Sequence, residues 1–127
     1  DHAEDLYDDS RNLFLHASPV PTFYQLYVPY IIWMSPEYIA NHPEKYKYLK
    51  DNVSKPIATN LVTYHTILSI AGITGTGINS KYSLADSAFT VTQRYYLNDH
   101  NLPLPLDKIG LKELDDIAFK KYQVRNF

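Results

Sequence analysis

Residues 28–34 read Val-Pro-Tyr-Ile-Ile-Trp-Met, an apolar run without a charge, closed by Ser35-Pro36. A strand that shows one face to water alternates apolar and polar positions. A run with so little alternation predicts a strand covered on both faces, as in a parallel sheet between helical layers. Pro29 is compatible with this, because the first residues of a strand need not donate to the ladder. Such a segment demands strands beside it and helices above and below. It points to an α/β class.

The remaining pattern supplies those layers. In residues 59–71, Leu61, Tyr64, His65, Leu68 and Ala71 recur at helical spacing, with Ile67 and Ile70 widening the apolar face. Gly72 then stands where a left-handed cap ends a helix. Ser35 with Pro36 behind it predicts the start of one short helix, and residues 43–49 predict another. Ser83 and Asp86 suggest a capped turn, and residues 88–97 read as a strand. Leu111, Leu114, Ile117 and Ala118 predict a last helix, with Lys120 and Lys121 suiting its dipole. No repeat, low-complexity tract or glycine-serine linker divides the chain, so residues 1–127 are expected to form a single unit.

Residues 1–27 are different. They carry Asp8, Asp9, Ser10, Asn12, Pro19 and Pro21 with no sustained period, which predicts a long ordered loop. Loops of that length in compact domains are usually functional. This one opens Asp1-His2-Ala3-Glu4-Asp5 and reaches Leu15-His16-Ala17. Carboxylate oxygen with imidazole nitrogen suits zinc, manganese and similar divalent ions. A catalytic metal needs more ligands and a nucleophile, so the stretch reads as part of a metal site.

The Asp-His-x-Glu start, the downstream Leu-His, the apolar run through Ser35 and the helical Tyr64-His65-Thr66-Ile67-Leu68-Ser69-Ile70-Ala71-Gly72-Ile73 follow one another in a distinctive order. That series, over residues 1 to about 100, resembles the C-terminal part of sulfatase-like phosphoethanolamine and phosphoglycerol transferases. These are membrane-anchored bacterial enzymes of the alkaline-phosphatase superfamily. The resemblance implies the C-terminal portion of an α/β/α sandwich with a mostly parallel sheet, completed by upstream strands. It implies that Asp1 and His2 bind a catalytic zinc or manganese ion, and that His16 lies beside the transferred phosphoryl group. Glu4 matches the motif's acid without being assigned as a ligand. Ala3 stands where the family usually has glycine.

The resemblance further implies a phosphoryl group moved onto an envelope lipid or glycan by an upstream threonine or serine. The chain alone would then be inactive, with the upstream part of the same enzyme as its partner. The parent protein would sit in the bacterial inner membrane with its catalytic domain outside the cytoplasm. This stretch itself, lacking an apolar run of about 18 residues, is expected to be soluble. Unpaired sheet edges would allow a homodimer or a companion fragment. A sulfatase or phosphodiesterase of the same superfamily is the near alternative.

Other classes fare worse. With 12 basic and 14 acidic side chains, the net charge of −2 gives no footprint for nucleic acid. The absence of cysteine excludes disulfides and thiolate chemistry. Residues 72–77 hold a glycine-rich stretch, but it follows a helix and lacks a P-loop lysine. Twelve tyrosines suit half-buried surfaces, and they sustain a rival reading as a non-catalytic glycan- or lipid-binding module. His42 and His100 read as polar turn residues, His65 as a core histidine, and Asp115-Asp116 as an exposed pair. Lys45, Lys47, Lys50 and Lys55 read as a solvated helix face, or as a surface for anionic headgroups.

Overall fold

The computed structural model describes residues 3–16, 18–98, 100 and 102–122. They gather into two compact units: residues 1–30 with 93–127, and residues 31–92.

The first unit begins with a hairpin. Strand β1 (Asp5–Leu6) pairs antiparallel with β2 (Phe14–Leu15), Asp5 opposite Leu15 and Leu6 opposite Phe14. The connection closes through hydrogen bonds from Asn12 N–H to Asp9 O (3.2 Å) and from Tyr7 N–H to Leu13 O (3.0 Å). Tyr7 and Phe14 stack across it, ring centres 5.0 Å apart. Helix α1 (Phe23–Leu26) follows, opened by a capping box in which Thr22 and Gln25 satisfy each other's backbone N–H. Helix α5 (Glu113–Lys121) packs on it, and Phe23, Ala118 and Phe119 form the core, flanked by Tyr24, Leu26 and Leu111. Phe23 meets Phe119 edge to face at 4.9 Å. A second hairpin pairs β3 (Tyr95–Leu97) with β4 (Pro103–Pro105). Its two prolines fit a strand with only one partner.

The second unit is helical. Helix α2 (Pro36–Asn41) starts on Ser35, whose hydroxyl accepts from Tyr38 N–H at 3.0 Å, with proline at the first position. Helix α3 (Pro43–Asn52) follows, then α4 (Thr59–Ile70), which ends as Gly72 turns left-handed at φ 69°. Thr66 and Asn52 are buried and hold the segment after the 3-10 turn at Ser80–Tyr82. Leu84 N–H donates to Thr66 Oγ1 (3.0 Å), and Asn52 Nδ2 donates to Leu84 O (2.9 Å). Val62, Leu84, Ala85 and Phe89 are the buried apolar side chains of this unit.

The class is therefore mixed α/β, but the expected parallel sheet is corrected. Among the described residues both sheets are two-stranded and antiparallel. Residues 28–34 form no strand, and Ile31 and Trp33 are 85% and 80% exposed. The physical reason is pairing: a two-faced strand needs a neighbour at each edge, and every described strand is already paired within its own hairpin. Of residues 88–97, only Tyr95–Leu97 is strand. Helix α4 buries Val62 and Thr66 and exposes Tyr64 and Ile67, so its inner face is rotated from the expected one. No described helix is long and apolar enough to cross a membrane.

Candidate functional site

The site is the open end of the β1·β2 hairpin. Its base is fixed by buried polar contacts. Asp5, fully buried, accepts from Thr22 Oγ1 (2.8 Å) and from Asp8 N–H (3.2 Å). On the other strand, Gln25 Nε2 donates to Leu15 O (2.8 Å) and to Ser18 Oγ (3.1 Å). The cap of α1 thus holds both strands.

Leu15 sits at φ 65°, in the left-handed region that a leucine enters only at a cost of about 1–2 kcal/mol. Its carbonyl is held there by Gln25, and the backbone turns just before His16. Next to the Asp5·Leu15 pair, Glu4 and His16 come together: His16 Nδ1 lies 3.4 Å from Glu4 Oε1. Both side chains are open to solvent, His16 by 51% and Glu4 by 38%.

Behind the hairpin lies a charged clamp. Asp115 is fully buried and accepts from Phe23 N–H (2.8 Å), Lys112 N–H (2.8 Å), Arg11 Nη1 (3.0 Å) and Arg11 Nη2 (2.7 Å). Arg11 also grips Asp9, its Nε 3.0 Å from Oδ1 and its Nη2 closer still to Oδ2. Burial alone would raise the Asp115 carboxyl. Hydrogen bonds from Arg11, Lys112 and Phe23 outweigh that and hold it below the usual carboxylate range. Asp9 is lowered chiefly by the Arg11 side-chain hydrogen bond, and the guanidinium between them is raised. This corrects the reading of Asp115-Asp116 as an exposed pair. The signal was absent because Arg11 lies 104 residues away in sequence.

Asp1 and His2 lie outside the described residues. Among the described residues, no three His, Cys, Asp or Glu side chains are grouped to hold a metal. His65 is half-buried, its Nδ1 accepting from Asn79 N–H at 3.3 Å, and its ring lies 5.3 Å from that of Tyr82. His42 is exposed and lies 4.4 Å from the Tyr38 ring, and His100 is exposed in the turn between β3 and β4. The four lysines are engaged within the second unit: Lys45 with Ser69, Lys47 with Asp51, Lys50 over Tyr46 and Lys55 over Phe89.

No family model, no curated protein and no solved structure matches this chain.

Proposed function

We propose that this chain is the C-terminal portion of a metal-dependent transferase that moves phosphoethanolamine or phosphoglycerol onto a bacterial envelope lipid or glycan. The observation that carries the reading is the hairpin that joins two of the ordered motifs, setting the acid of Asp-His-x-Glu against the downstream His16. The complete protein is anchored in the inner membrane with its catalytic domain outside the cytoplasm. The upstream part of the same enzyme supplies the nucleophile and the remaining ligands.

Asp1 and His2 would hold a zinc or manganese ion, which supplies positive charge against the phosphoryl oxygens. An upstream threonine or serine oxygen forms a bond to phosphorus as the bond to the donor alcohol breaks, its own proton passing to solvent. His16, as imidazolium, gives its Nε2 proton to the departing alkoxide. The neutral imidazole then takes the proton of the acceptor alcohol as that oxygen attacks the phospho-enzyme. The released side-chain oxygen regains a proton from solvent, and the cycle closes.

Calorimetric titration tests the divided site. These 127 residues alone should bind zinc weakly or not at all, and the upstream region should create tight, stoichiometric binding. Tight binding by this chain alone would contradict the proposal. Replacing His16 with asparagine in the complete enzyme should lower phosphoryl transfer by on the order of 100-fold or more.

A further inference from the structure

We propose that Glu4 is a positioning residue whose carboxylate accepts the Nδ1 proton of His16, fixing the tautomer so that Nε2 is the nitrogen that exchanges a proton with substrate. Only the last clause rests on the phosphoryl-transfer reading. The pairing itself comes from the hairpin.

Asp5 stands opposite Leu15 in the ladder, so Glu4 and His16 are the residues one step beyond on each strand. Each adjoins an immobilised neighbour. Asp5 is buried and bound by Thr22 and Asp8, while the Leu15 carbonyl is bound by Gln25. Little freedom is left at the two backbones that carry the pair. The left-handed turn at Leu15 is the local strain that this arrangement sustains, and such strain gathers where a side chain must be aimed. The 3.4 Å separation is long for a hydrogen bond. Catalytic contacts are often loose before substrate binds and shorten in the complex.

A carboxylate on one imidazole nitrogen determines which nitrogen carries the proton, because an ionised carboxylate only accepts. The competing view is an exposed ion pair of little consequence, the ordinary worth of such pairs on a surface. The two views predict different tautomers, which makes them separable without any enzyme assay.

The test is long-range proton–nitrogen NMR on the labelled 127-residue chain, at an alkaline pH where the nitrogen shifts themselves show the His16 and His42 rings neutral. His16 should be mainly in the Nδ1–H form, unlike the exposed His42. In Glu4→Ala the share of the Nδ1–H form should fall toward that of His42, while Glu4→Gln, with its amide oxygen turned to the ring, should keep most of it. A wild-type His16 with the tautomer mixture of His42 would overturn the proposal, even if Glu4→Ala disturbed the hairpin. So would a Glu4→Ala chain with unchanged hairpin signals and an unchanged tautomer. In the complete enzyme, Glu4→Ala should lower kcat on the order of 10-fold to 100-fold with KM unmoved, and Glu4→Gln should recover most of it. If the tautomer behaves as stated and no phosphoryl transfer is found, the transferase reading falls while the positioning role stands.

Discussion

Asp115 is fully buried, and its carboxylate is held from several sides. Its two oxygens take four donors from Phe23, Lys112 and Arg11, so truncation leaves two N–H groups without their acceptor and the Arg11 guanidinium with Asp9 alone of its two carboxylates. Removing one partner from a buried charged pair costs about 3–5 kcal/mol. We expect Asp115→Ala to lower the stability of the first unit by that amount in urea unfolding. Asp51→Ala, which breaks the exposed pair with Lys47, should change nothing measurable. The pH dependence has a definite sign. Asp115 and Asp9 have folded values below the unfolded carboxylate value of ~3.9, so their contribution is present above that pH. It is lost as pH falls below ~4 and through the depressed folded values. Asp115→Ala should flatten that acid limb.

At the level of elements, the second unit hangs on Thr66 in α4 and Asn52 in α3, which take the N–H and the C=O of Leu84 from opposite sides. Thr66→Val keeps the shape of the side chain and removes the acceptor. Leu84 N–H is then buried without a partner, a loss of about 1–3 kcal/mol, to be seen as a lower urea midpoint with an unchanged slope. What could be foreseen in this unit was local. Ser35-Pro36 starts α2, and Gly72 ends α4, because caps are written in the few residues that form them. Residues 28–34 were misread because a strand is defined by partners, and no local pattern supplies them. Helix α4 was placed correctly but turned incorrectly, since its inner face is chosen by Leu84, 18 residues beyond Thr66. At the candidate site, the motif singles out His16. Its contact with Glu4 was not legible, because strands of two residues have no period to read.

At the scale of the whole chain, the two units differ in how they are drawn from the sequence. The second is continuous over residues 31–92, whereas the first joins residues 1–30 to residues 93–127. A chain ending at Ile109 lacks α5, and with it Ala118, Phe119 and Asp115. We expect such a truncation to abolish hydrogen-exchange protection at Tyr7 and Gln25 in the first unit, while amides of α4 such as Val62 stay protected. Equal loss in both units would show that they fold as one.

That long-range joining governs when the hairpin acquires its shape. A ribosome delivers Glu4 and His16 well before α5, so the imidazole and its carboxylate have no firm support until that helix has followed them. A nascent chain halted before α5 would carry these residues without the frame that aims them, which delays any chemistry there until that helix is made.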